Sequence, residues 1–174
     1  MIKMDIEKVL INLYDQIEMV YNELRVEVES VYRKNNLIFQ ESDALRTSKG
    51  DIYAKVFGNF LAKTTNLSIS FEVSPKGTRK RIDILLGEKF AIEVKKSGIY
   101  SKPELILKQW NEKKQAIPQY YHLFVSFDEI MTYNTILREL MKDEYFIFRQ
   151  HRPKPAVYFP DELKRLLDFI KITK

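Results

Sequence analysis

The sequence predicts an α/β fold, one domain with a central sheet flanked by helices, and three observations carry that prediction. Two short apolar runs, Ile82 to Leu86 and Phe90 to Val94, are separated by Gly87, Glu88 and Lys89, which reads as an antiparallel hairpin. Residues 50 to 65 place Ile52, Tyr53, Val56, Phe57 and Phe60 at helical spacing just before the run LSISFEV. The compact apolar run YHLFVSF, residues 121 to 127, follows a segment with helical spacing, as a buried strand does after a crossover helix.

Taken in order, the chain opens with Ile6, Leu10, Leu13, Ile17, Val20 and Leu24 at alternating spacings of four and three, continued by Val28 and Val31 after one slip. That narrow seam predicts a helical extension over residues 1 to 34, packed on its own core or paired with a second copy as a homodimer. Residues 35 to 50 are polar and read as a loop-rich link to a domain spanning 50 to 174. After the helix at 50 to 65, the runs 67 to 73, RIDILLG and FAIEVKK read as three successive strands. Ser101 and Pro103 fit the start of a helix that Pro118 stops. Beyond 121 to 127, residues 128 to 142 have helical spacing, EYFIFRQ and AVYFP can pair as strands around HRPKP, and Asp161 is placed to cap a last helix.

Length and composition suit one well-packed domain with an appendage. The chain has no cysteine, which excludes a disulfide scaffold, a cysteine nucleophile, a cysteine zinc site and an iron–sulfur cluster. No phosphate-cradling GxxxxGK[ST] or GxGxxG loop occurs, so neither ATP nor a dinucleotide is expected as a cofactor. The longest apolar runs are far shorter than a membrane span and no signal-peptide pattern opens the chain, so a cytoplasmic protein without membrane contact is expected. The net charge of +5 is uneven, because residues 1 to 30 carry −4 and the other 144 carry +9. A basic body suits a phosphate backbone, and an acidic first helix avoids it.

The chemistry concentrates at residues 81 to 96. Side chains alternate along a strand, so Glu93 and Lys95 project from one face, and Asp83 lies across the hairpin near Glu93. Two carboxylates and an ammonium then converge. Paired carboxylates repel unless a proton or a cation lies between them, and a hard divalent cation such as Mg²⁺ takes oxygen ligands of this kind. The alternative is the solvated face of an ordinary hairpin with a cross-strand ion pair. Lys76, Arg79, Lys80 and Arg81 directly precede Asp83, as a phosphate clamp or a solubilising hairpin tip. Lys96, Lys102, Lys108, Lys113 and Lys114 extend the positive charge towards the next helix, and Arg149, Arg152 and Lys154 form a further basic patch. His122 and His151 are read as structural.

The pattern D-x9-E-x-K across a hairpin, with Ile82 at the usual proline position, resembles the signature of the PD-(D/E)xK, or restriction-endonuclease-like, nuclease superfamily. The resemblance covers residues 50 to 128 in the order helix, three-stranded meander, helix, strand. It implies a central mixed sheet flanked by helices, here with a helical N-terminal extension, and a metal-dependent nuclease hydrolysing DNA phosphodiester bonds, most readily an endonuclease. Asp83 and Glu93 would hold Mg²⁺, for which Mn²⁺ substitutes, and Lys95 would assist the attacking water. The backbone carbonyl of Val94 would be a further metal contact. Many members add an acidic residue on the first core helix, for which Asp51 is the candidate and Glu41 the alternative. Gln109, Gln115, Tyr120 and Tyr121 are the residues that could stand for the Gln and Tyr of an exonuclease-like branch. DNA is the implied partner, bound by Lys76, Arg79, Lys80, Arg81, Lys96 and Lys102, and a dimer would supply two sites for two strands. The competing readings are a catalytically inactive module of the same fold that binds nucleic acid or a protein, and an assembly protein that recruits partners through its N-terminal seam.

Overall fold

The computed structural model describes residues 5–97, 102–129, 133–150 and 154–173. Helix α1, Ile6–Lys34, starts on Asp5, whose carboxylate accepts the Lys8 N–H at 3.2 Å, and it ends with Arg33 and Lys34 in its last turn. Both ends therefore complement the helix dipole. A short helix α2, Glu41–Ala44, leads into α3, Ser48–Thr65, which stops where Asn66 enters the left-handed region at φ 56°. The loop expected over 35 to 50 is thus partly helical, and α3 begins two residues early, with Thr47 at the N-cap position but making no side-chain cap bond.

Strands β1, Ile69–Val73, β2, Ile82–Leu86, and β3, Phe90–Ser97, form the antiparallel meander. Gly87 and Glu88 both have positive φ, 60° and 54°, as a primed hairpin turn requires. A Cβ on Gly87 would also lie 3.1 Å from the Leu67 side chain, so this turn calls for glycine on two counts. Helix α4, Pro103–Ala116, crosses over to β4, Tyr121–Glu129, which pairs parallel with β3. Helix α5, Tyr133–Met141, and a single 3₁₀ turn lead to β5, Tyr145–Gln150, parallel to β4. The two-residue β6, Val157–Tyr158, returns antiparallel, and α6, Pro160–Thr173, closes the described chain. The result is an α/β fold on a six-stranded mixed sheet in the order β1-β2-β3-β4-β5-β6, with helices on both faces.

Three local expectations are corrected. Residues 128 and 129 extend β4 instead of opening a helix, because ladder pairing of Asp128 with both Ser97 and Arg149 outweighs their helical spacing. Pro160 takes the first position of α6, so Asp161 is a first-turn carboxylate acting on the dipole and not the cap. Arg149 is no part of a surface patch: its guanidinium grips the buried Asp128 through Nε to Oδ1 at 2.6 Å and Nη2 to Oδ2 at 3.0 Å, and stacks 4.0 Å from the Tyr14 ring centre. Ser101, His151 and Arg152 lie outside the described residues.

The larger core lies between one sheet face and helices α1, α3 and α6, with Leu10, Ile17, Phe57, Ile84, Ile92, Val125, Phe127, Phe148 and Leu166 all essentially inaccessible. The α1 seam is spent here as far as Val28: Leu10, Leu13 and Ile17, with Tyr14 and Tyr21, are buried in the same core as the sheet, and Ile6, Val20, Leu24 and Val28 pack partly buried against it. Met19, Val26 and Val31 of α1 remain exposed. On the other face, Trp110 of α4 packs with Phe124, Leu137, Met141, Tyr145 and Ile147. Burial on both faces accounts for the near-continuous apolar runs of β4 and β5. Among the described residues, no helix is long and apolar enough to cross a membrane.

His122 is buried at the start of β4, edge-on to Trp110, with Nε2 3.0 Å from the Ile117 carbonyl and Nδ1 without a hydrogen-bond partner. Because a carbonyl can only accept, Nε2 carries the proton. Burial, supported by the charges of Lys113 and Lys114, holds the imidazole pKa below its ordinary value despite the opposing Ile117 bond. With the folded pKa depressed, the unfolded chain binds the proton first, so this stabilisation is present above about pH 6.5 and is lost progressively as pH falls below that value through the depressed folded pKa. Denaturant melts are expected to show the loss in the wild type and a flatter profile in His122→Gln, which keeps a donor for Ile117. Parallel profiles for the two proteins would exclude His122 as the group responsible.

Candidate active site

The hairpin's register pairs Ile84 with Ile92, Leu85 with Ala91 and Leu86 with Phe90. Continued by one step, it sets Asp83 opposite Glu93, as the alternation of the sequence requires. Here the carboxylate of Asp83 takes the place of a ladder acceptor, with Oδ2 receiving the Val94 N–H at 2.9 Å. Asp83 is therefore a structural partner of β3 as well as a candidate ligand. Glu93 projects towards the α4 side of the sheet, where Lys95 Nζ donates to Oε1 at 2.5 Å and Lys113 of α4 donates to Oε2. The structure thus brings Asp83, Glu93 and Lys95 together and adds Lys113, whose side chain is only 11% exposed.

The electrostatics of the cluster are divided. Burial and the neighbouring charge of Glu93 push the Asp83 carboxyl up, against the Val94 N–H and the two lysines. Burial works in the same sense on Glu93, but Lys95 and Lys113 outweigh it and hold that carboxyl below the usual range. Burial tends to lower Lys95, yet Glu93 and Asp83 prevail and raise it, so Lys95 is an ammonium at neutral pH. It is equipped to donate hydrogen bonds and to stabilise negative charge.

A cleft of about 250 Å³ opens beside the cluster, lined by Asp83, Val94, Lys95 and Lys96 from the hairpin, Phe71 and Glu72 from β1, Arg81, and Gly50, Asp51, Ala54 and Lys55 from α3. Asp51 stands in the first turn of α3, where the dipole favours a carboxylate, and faces the same space as Asp83. Glu41 does not. It lies in a separate cleft, where it accepts the Tyr21 hydroxyl at 2.5 Å. Glu72 sits at the rim of the first cleft with φ 53°, a left-handed conformation costing a non-glycine residue roughly 1–3 kcal/mol.

Of the basic residues expected to meet a phosphate backbone, Arg81 and Lys96 line the cleft, although Arg81 also lies 3.5 Å from Glu72. Lys80 turns to Glu112 of α4 at 3.4 Å. Lys76 and Arg79 are exposed in the turn at Gly77, and Lys102 is exposed at the start of α4. Gln109 and Gln115 are exposed on α4 and Tyr121 is largely exposed, so these do not join the cluster; Tyr120 packs with Ile82, Ala91 and Ile117.

Lys113 and Lys55 are the residues that sequence reasoning did not assign to the site, and each left a signal. Lys113 falls on the inner stripe of α4 defined by Ile106, Trp110 and Ile117, an unusual place for a lysine. Lys55 is four residues, one helical turn, beyond Asp51.

Asp83, Glu93, the Val94 carbonyl and Asp51 are the oxygen donors expected at a metal; Glu72 lines the same cleft, and both Glu93 oxygens accept from lysines. Among the described residues, no three Asp, Glu, His or Cys side chains converge as a metal-binding group. Mg²⁺ needs only one or two protein carboxylates, because it keeps several waters and takes substrate oxygens, so the Asp83–Glu93 pair fits it. Comparison of the chain with protein-family models, with curated proteins and with solved structures finds no match.

Proposed function

We propose that this chain is a Mg²⁺-dependent deoxyribonuclease with a restriction-endonuclease-like core, most readily an endonuclease. The observation that carries the proposal is the meeting of Asp83, Glu93 and Lys95 where the β2–β3 ladder ends, beside a cleft that Asp83 and Lys95 line together with Asp51 of α3. Asp83 and Glu93, with the Val94 carbonyl and Asp51, would hold Mg²⁺ or Mn²⁺. When bound, the metal would polarise the phosphate and lower the pKa of a coordinated water. Lys95 donates to the attacking water and to the phosphate oxygens, stabilising the charge that develops there. Lys113 holds Glu93 from the α4 side and keeps that carboxylate ionised. Arg81, Lys55 and Lys96 supply positive charge around the entering strand.

A second reading has one observation in its favour. Both oxygens of Glu93 are already held by lysines, so the cluster is neutralised without a metal, as suits an inactive module that only binds nucleic acid or a protein. The readings separate in one assay: labelled duplex, single-stranded and branched DNA incubated with Mg²⁺, with Mn²⁺ or with a chelator, using wild type and Asp83→Asn. Asparagine keeps an oxygen for the Val94 N–H, whereas alanine would orphan that donor at a cost of about 1–3 kcal/mol. The nuclease reading expects cutting that needs the metal and disappears in Asp83→Asn with the fold intact. Binding without cutting under every metal condition supports the inactive module instead.

A further inference from the structure

Beside the first cleft lies a second, of about 420 Å³, lined by Tyr21, Glu41, Ser42, Leu45, Arg46, Lys49 and Lys96. The two share Lys96, at the end of β3, and α3 begins between them, with Lys49 in one and Gly50 and Asp51 in the other. We propose that the second cleft holds a phosphate of the same nucleic-acid strand, next along from the one placed at Asp83 and Glu93, with Arg46, Lys49 and Lys96 as its ligands. This deepens the nuclease reading by giving the strand a direction across the protein.

The charges support an anion here. Among the described residues, neither Arg46 nor Lys96 has a carboxylate partner, and Lys49 has only Glu18 at 3.7 Å. Glu41 accepts the Tyr21 hydroxyl and keeps its charge, so among the described residues the lining sets three cations against one carboxylate. Lys49 and Lys96 line this cleft together, and an anion between them would offset their like charges. The Thr47 side chain does not cap α3, so the first amides of that helix add donors at the same place. Among the described residues, Leu45 is the only aliphatic side chain in the lining, and the volume falls within the range of pockets that take small organic groups. Continuity through Lys96 with the first cleft favours a strand over a free phosphate.

The test is fluorescence anisotropy with a short labelled single-stranded DNA, in chelator, across a salt series. Arg46→Gln/Lys49→Gln is compared with wild type and with Lys142→Gln/Lys164→Gln, two exposed lysines on elements that line neither cleft. Removing two phosphate contacts should weaken binding by about tenfold at low salt and reduce the slope of log Kd against log salt by about 1.4, while the control pair changes neither. Matching melting curves would confirm that both variants are folded. Equal slopes for wild type and Arg46→Gln/Lys49→Gln, or no strand binding by the wild type, would overturn the inference. Since no cleavage is read, the two proposals fail separately: a binding defect in a protein that never cuts sustains this site and removes the nuclease, and cutting with unchanged slopes does the reverse.

Discussion

Lys95→Ala is expected to slow single-turnover cleavage by about a thousandfold, within the roughly 10²–10⁴ range for a positioned proton-transfer or charge-stabilising group. The side chain is 45% exposed and among the described residues its only ion pair is with Glu93, which retains Lys113 when Lys95 is removed. Thermal stability should therefore move little, and the loss should fall on the rate. Lys95→Arg is the informative companion. Arginine keeps the charge but replaces a compact ammonium with a planar fork, so it should restore strand binding and little of the cleavage. If Lys95→Ala cut within a few-fold of wild type at saturating Mg²⁺, Lys95 would have no part in the reaction, and the cluster would be structural.

Arg149→Met is expected to be the most destabilising of the substitutions considered. Methionine fills much of the volume of the arginine stem but leaves the Asp128 carboxylate buried without its two charged hydrogen bonds. Breaking a buried pair in this way costs about 3–5 kcal/mol, which for a domain of this size lowers the melting temperature by about 6–20 °C. The guanidinium also lies over Tyr14, whose hydroxyl donates to the Phe127 carbonyl, so the pair fastens α1 to the ends of β4 and β5. Asp128→Asn/Arg149→Met should recover part of the loss, because no unpaired charge remains. A loss below about 1 kcal/mol in the single variant would show that water reaches Asp128 and that the pair is worth no more than a surface one.

Local chemistry accounts for what the sequence made readable. The Gly87 turn and the period-two alternation around it specified the hairpin and the facing positions of Asp83 and Glu93, since a register slip of one residue would bury the carboxylates among Ile84, Ile92 and Val94. The apolar spacing of α3 likewise identified Ile52, Val56 and Phe57 as core residues. Helical spacing failed at residues 128 and 129 because strand pairing with β3 and β5 is not encoded nearby.

The candidate site divides along the same line. Asp83, Glu93 and Lys95 are neighbours on one supersecondary unit, so alternation and turn chemistry were enough to group them. Lys113 reaches Glu93 only because the β3–α4–β4 crossover lays α4 on that face, and Asp51 shares the cleft only because α3 packs across the other side of the hairpin. Asp51 was the candidate for the additional acid and Glu41 the alternative; folding sent Glu41 to the Tyr21 hydroxyl and Asp51 to the cleft with Asp83. The α1 seam was open to its own core or to a partner chain, and burial of Leu10, Leu13 and Ile17 against the sheet is where the chain placed them. Residue spacing specifies which side chains share a face; which faces then meet depends on crossovers and burial across the whole domain.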